Sequence, residues 1–210
     1  MTNKKRKIPY FPMFVIGFFV LLFVLNQRSE ESDMSNTENL EPDNHLDKAT
    51  EEFAQQRSQQ GIEEIEKAIL SMKELERTME ASSEIQIDLA IAKLKSFERH
   101  IKGDSLNSAE LDYAFANAIN ALALTQLKLS KFDLHHDKKQ EAKEALKITM
   151  SHLLHAMKYS DSIHEQQEKG LIRRVEILIY SIDHEKAYER QLNELIEEVQ
   201  NLVKTSRISL

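Results

Sequence analysis

Residues 113–127 read YAFANAINALALTQL, fifteen positions in a row without a charge. Five alanines, at 114, 116, 118, 121 and 123, favour a helix, because alanine loses no side-chain freedom on coiling. Leu111, Phe115, Ala118, Leu122 and Leu129 fall on one helical face, and Ala114, Ala121 and Leu124 add a second. A helix apolar on most sides has other helices around it. The rival reading is a membrane span, which needs about 20 apolar residues. This run is shorter, and Asn117, Asn120, Thr125 and Gln126 interrupt it. The stretch therefore predicts the centre of an all-α bundle, in a helix that starts near Asn107 with Glu110 three residues on.

The same periodicity extends outward. Upstream, Ser83 and Gln86 read as a capping box, followed by Ile87, Ala90, Leu94, Phe97 and Ile101 at spacings of three and four. Gly103 then suits a left-handed helix end. A first helix is predicted over 47–79, with Ile62, Ile65, Ile69, Met72, Leu75 and Met79 as its stripe. Its beginning, 47–61, is polar (Gln55, Gln56, Gln59, Gln60) and reads as a solvated stalk. Downstream, Asp137 and Gln140 open a helix with Ala142, Leu146, Thr149, Leu153 and Ala156 inside. Ser162 and Glu165 open the next, with Leu171, Val175, Leu178 and Ile182. The pattern resumes with Tyr188, Leu192, Leu195, Val199 and Leu202. The Asp183-His184 junction lacks glycine and proline, so 162–204 reads as one long helix or two. Residues 206–210 form a tail. Proline is absent after Pro42, and only Gly61, Gly103 and Gly170 break the later composition. The expectation is an antiparallel helical bundle of about five to six helices over 47–205.

The N-terminus has a different composition. Residues 1–7 carry Lys4-Lys5-Arg6-Lys7, and Ile8–Leu25 (IPYFPMFVIGFFVLLFVL) has no charge over eighteen residues. At about 1.5 Å per residue that covers roughly 27 Å, close to the ~30 Å hydrocarbon core. Residues 8–27 therefore read as a transmembrane anchor. A cleaved signal peptide is the competing reading. Against it stand the length of the apolar core and the exit Asn26-Gln27-Arg28-Ser29, which offers no small-residue cleavage pair. The absence of cysteine rules out lipid attachment through a thiol. Basic residues before the span keep residues 1–7 in the cytoplasm and send the rest across. Residues 28–46 are polar and acidic and read as a flexible linker. All 35 acidic residues but only 24 of the 28 basic ones follow the span, leaving a net charge near −11. Such a domain is a poor nucleic-acid binder, since phosphate needs clustered Lys and Arg. With no Asn-x-Ser/Thr sequon, the expected location is a bacterial inner membrane with the bundle in the periplasm.

Few residues carry recognisable chemistry. There is no G-x-S-x-G elbow, P-loop, dinucleotide fingerprint or H-E-x-x-H. Asp161-x-x-His164 has the carboxylate-to-histidine spacing of bundle di-metal sites. It opens a helix and has no duplicate, so it reads as a cap beside a surface histidine. His152 and His155 share a helical face. With His135 or His136 they could surround a zinc ion. Their flanks are apolar (Leu153, Leu154, Ala156) and no spacing fixes a third ligand, so they read as histidines at the edge of the core. Titration there would make the bundle pH-responsive. No catalytic, cofactor or metal residue is assigned, and an enzyme is not expected. The stripes at 62–79 and 188–202 resemble coiled-coil seams and are read first as packing within the chain. The expected function is a membrane-anchored interaction or scaffold module that binds a protein partner or itself. The alternative is an exported small-molecule-binding sensory domain that signals through a partner subunit.

Overall fold

A computed structural model describes residues 39–77, 81–101, 107–184 and 188–205. Among them lie seven helices and no strand: α1 (Glu41–Ala54), α2 (Ser58–Arg77), α3 (Ala81–Ile101), α4 (Ser108–His135), α5 (Lys139–Ala156), α6 (Ser162–His184) and α7 (Tyr188–Thr205). Consecutive helices pack on one another, and α4 also packs on α7 and α1. The all-α expectation holds, with more helices than expected. The predicted anchor, 8–27, lies outside the described residues. Among the described residues no helix is long and apolar enough to cross a membrane.

The uncharged stretch is the middle of α4, and α4 joins two apolar cores. Leu111, Ala114, Phe115, Ala118, Ile119, Ala121 and Leu122 pack with α1, α2 and α3. Ala123, Leu124, Leu127 and Leu134 pack with α5, α6 and α7. Each fully buried Leu, Ile or Phe contributes about 1.5–3 kcal/mol through water-free apolar surface. The polar interruptions connect α4 to its neighbours. Asn117 Nδ2 donates to the Val203 carbonyl at 3.1 Å, which satisfies an acceptor in the last turn of α7. Asn120 Nδ2 donates to Glu168 of α6 at 2.9 Å, and Gln126 Nε2 to Asn39, just before α1, at 2.9 Å. Thr125 bonds back to the Ala121 carbonyl of its own helix.

The N-terminal elements differ most from expectation. The end of the predicted linker is helical: α1 begins at Glu41, Pro42 occupies its first turn, and Asp43 and Leu46 are fully buried. Proline is at home there, where its missing N–H has no intrahelical partner. The predicted stalk is packed, with Ala49 and Phe53 in the core. Gly61 is also buried, and a Cβ there would stand 2.6 Å from the Phe53 ring. The predicted helix over 47–79 breaks at 55–57. Gln56 takes φ 60, Arg57 N–H bonds the Glu52 carbonyl at 2.9 Å and Gln56 N–H the Phe53 carbonyl at 3.0 Å. This is a left-handed helix end closed without glycine. Arg57 also grips Glu52 through both carboxylate oxygens.

The turn after α4 repeats the device. Asp137 has φ 59, and Lys138 N–H bonds the Asp133 carbonyl at 2.9 Å. Asp137 therefore closes α4, and α5 starts at Lys139. α3 likewise begins before Ser83. α6 is capped by Asp161, one residue before Ser162: its Oδ1 accepts from the Ile163 and His164 amides at 3.0 and 2.9 Å. These amide bonds hold the Asp161 carboxyl below its ordinary value. The segment 162–204 resolves into two helices, α6 and α7.

Candidate functional site: a buried carboxylate between two imidazoles

One polar stripe of α1 carries Asp43, Asp47 and Thr50, spaced by four and three. It faces the last turns of α5 and the turn that follows, where His152, His155, Lys158 and Tyr159 are gathered. The apolar stripe beside it, Leu46, Ala49 and Phe53, enters the core. So α1 offers charge to α5 on one side and hydrocarbon to the core on the other, with His45 reaching Glu64 of α2.

Asp43 and His152 are both fully buried, and His152 Nδ1 lies 2.8 Å from Asp43 Oδ2. His155 Nδ1 approaches the same oxygen at 3.3 Å. Burial alone would raise the Asp43 carboxyl. The charge and hydrogen bond of His152, and then the nearby His155, outweigh it, and the carboxyl is held below its ordinary value. Among the described residues Asp43 Oδ1, His152 Nε2 and His155 Nδ1 have no hydrogen-bond partner, so His155 serves Asp43 by its nearness and not by a hydrogen bond. Unmet capacity of this kind is uncommon in a core and costs stability.

One turn along, Asp47 takes the Lys158 ammonium on one oxygen and the Tyr159 hydroxyl on the other. Burial and the Asp47 carboxylate push the Tyr159 hydroxyl well above its ordinary value, so it stays a donor. The Tyr159 ring meets Phe115 of α4 edge-on at 5.4 Å, which ties this seam to the apolar core. Farther out, His45 Nδ1 contacts Glu64 of α2 at 2.6 Å.

A second buried carboxylate, Glu168, sits where α6 meets α4. Its Oε1 lies 2.9 Å from Asn120 Nδ2 and 2.9 Å from Ser160 Oγ, and Oε2 has no partner. Burial raises this carboxyl, and the Asn120 and Ser160 bonds only partly counter it. Ser160 Oγ also lies 3.1 Å from the Ala156 carbonyl. A hydroxyl has one proton. Both Ser160 contacts are met together when Glu168 is protonated and donates to Ser160.

His152 and His155 are thus brought together, on a carboxylate that no local spacing links to them. His135 ends α4 beside a cavity of about 170 Å³ lined by Lys131, Leu134, Glu189, Leu192 and Asn193. His136 stacks on Phe132 at 4.1 Å between ring centroids. Among the described residues no three His, Asp or Glu side chains are arranged to hold a metal ion. Asp43, Tyr159 and Glu168 are the site residues that sequence reasoning missed. Leu46, Ala49 and Phe53, spaced by three and four behind a proline in a first turn, were the available sign that Asp43 belongs to a helix. The chain matches no protein-family profile, no curated protein and no solved structure.

Proposed function

We propose that this protein is a membrane-tethered helical interaction module of the bacterial envelope, and that it meets a second copy of itself through the outer face of α6. The observation that carries the reading is on that face. Ile163 and Ile177 share one stripe and are 68% and 59% exposed, and Tyr180, 69% exposed, stands to the side of it one turn beyond Ile177. Single exposed apolar residues are ordinary, whereas a shared stripe marks a contact surface. Between the isoleucines lies Gly170, where an added Cβ would meet nothing within 4 Å. Glycine weakens a helix interior by about 1 kcal/mol relative to alanine. Among the described residues nothing fills the space it leaves, and a second helix can approach closely there.

The pattern around Gly170 is self-complementary. Ile163 and Ile177 each stand seven residues from it, two turns away on the same face. A two-fold axis at Gly170 sets Ile163 of each copy on Ile177 of the other, as an isologous interface requires. The same register brings Gln167 to Arg173 and His164 to Glu176, and sets no like charges opposite each other. The tether is supported by the uncharged Ile8–Leu25 behind Lys4–Lys7.

The chain has no cysteine, so a single introduced thiol reports cleanly. Gly170→Cys in the full chain, oxidised mildly in native membranes, is expected to give a disulfide-linked dimer. Lys147→Cys on α5 is expected to give none. Adding Ile177→Lys to Gly170→Cys should remove the dimer without changing the melting curve. A thiol adduct with a different protein would overturn the second copy and keep the interaction module. No adduct of any kind would overturn the module. Recovery of the protein as a soluble form with a shortened N-terminus would remove the tether.

A further inference from the structure

We propose that the seam between α1 and α5 is a pH-sensitive latch: α1 stays docked while a protonated imidazole of His152 or His155 neutralises the buried Asp43 carboxylate, and it detaches from α5 when both imidazoles are neutral.

The seam has one charge that water cannot reach and two groups able to balance it. Asp43 is 0% exposed. Its Oδ2 is hydrogen-bonded to His152 at 2.8 Å, His155 Nδ1 stands within ion-pair distance of the same oxygen at 3.3 Å without a hydrogen bond, and among the described residues nothing bonds Oδ1. The other charged groups around it are committed elsewhere. On α1, Asp47 holds Lys158 and Tyr159, His45 holds Glu64 of α2, and Glu41 lies near His45. From α4, the neutral Gln126 holds Asn39. From α6, Glu168 holds Asn120 and Ser160. Among the described residues the ion-pair partners of Asp43 are His152 and His155, with no lysine or arginine.

A neutral imidazole can still donate one hydrogen bond, but it cannot cancel the charge. A carboxylate buried without a counter-charge is strongly destabilising. Imidazole is the side chain that ordinarily changes charge between pH 5 and 8. Leu46, Ala49 and Phe53 carry no titrating group, whereas His45 with Glu64 is a titratable contact between α1 and α2, so Asp43→Asn is the variant that separates the α1–α5 seam from the α1–α2 hairpin. On the acid side the latch holds until Asp43 itself is protonated. That carboxyl titrates below its ordinary 3.8, so the latch is closed in mild acid and opens toward alkaline pH.

Amide hydrogen exchange on the full chain, corrected for intrinsic rates, tests this between pH 5.5 and 8.5. Protection of peptides from α1 is expected to fall at least tenfold with rising pH, while peptides from α7 keep theirs. Asp43→Asn should flatten the α1 profile. Should that variant fail to fold, the wild-type chain still decides. The midpoint of α1 opening must coincide with the NMR titration of the His152 or His155 ring. Midpoints more than one pH unit apart, a parallel loss in α1 and α7, or an unchanged pH profile in a folded Asp43→Asn would each overturn the latch.

Discussion

Asp43 at the α1–α5 seam and Glu168 at the α4–α6 junction are both fully buried carboxylates, and their surroundings drive them in opposite directions. Burial raises both. At Asp43 two imidazoles outweigh it and the group stays ionised. At Glu168 the hydrogen-bonding partners are a neutral amide and a hydroxyl, burial dominates and the acid form is favoured. The difference teaches that the depth of a carboxylate does not set its charge. The nearest group able to carry a positive charge does. The signs of linkage follow. Asp43, depressed, adds stability that is present above its ordinary 3.8 and lost as pH falls through its lower folded value. Glu168, raised, adds stability that is fully present below its ordinary 4.5 and lost as pH rises through its higher folded value.

The largest expected effect breaks the first half of this contrast. His152→Ala leaves Asp43 with only the more distant His155 and should cost on the order of 4 kcal/mol in urea unfolding at pH 6. Replacing Asp43 and His152 together by leucine should recover most of that loss and remove the pH dependence. Next, Leu46→Ala on the apolar side of α1 should cost about 3 kcal/mol. Its cost should be the same at pH 5.5 and 8.5. A pH-dependent cost there would move the charge effect away from Asp43.

The other half of the contrast is tested by Glu168→Gln, which keeps the shape and removes the titration. It should raise stability by about 1 kcal/mol at pH 7.5, and by much less at pH 4, where Glu168 is already neutral. A loss of stability at pH 7.5 would mean that Glu168 is ionised in the fold. The smallest effect concerns the turn that orients α1. Gln56→Gly should add roughly 0.5–1 kcal/mol at every pH, because glycine adopts the left-handed conformation without strain.

Much of the bundle was readable from residue order. The stripes Ile87, Ala90, Leu94 and Phe97, or Leu171, Val175, Leu178 and Ile182, are buried as their spacing implies. The uncharged run of α4 does lie among other helices. Acidic composition and Pro42 suggest a linker where α1 starts, although proline suits a first helical turn. The break at Gln56 was missed because no glycine marks it. The bonds that close it run from the backbone of Arg57 to that of Glu52, and backbone bonds leave little trace in side-chain identity. The site was less legible than the fold. His152 and His155 could be placed on one face, but their partner could not be named.

Helix formation, and the side of each helix that turns inward, are set by residues three and four apart, so sequence alone determined them. Asp43 and His152 are 109 positions apart. Their meeting depends on how α1 turns back at Gln56 and on how α4 holds α1 and α5 side by side. No local pattern encodes that distance, and the charge state of the buried seam follows from it, so tertiary structure alone decided the chemistry of this site.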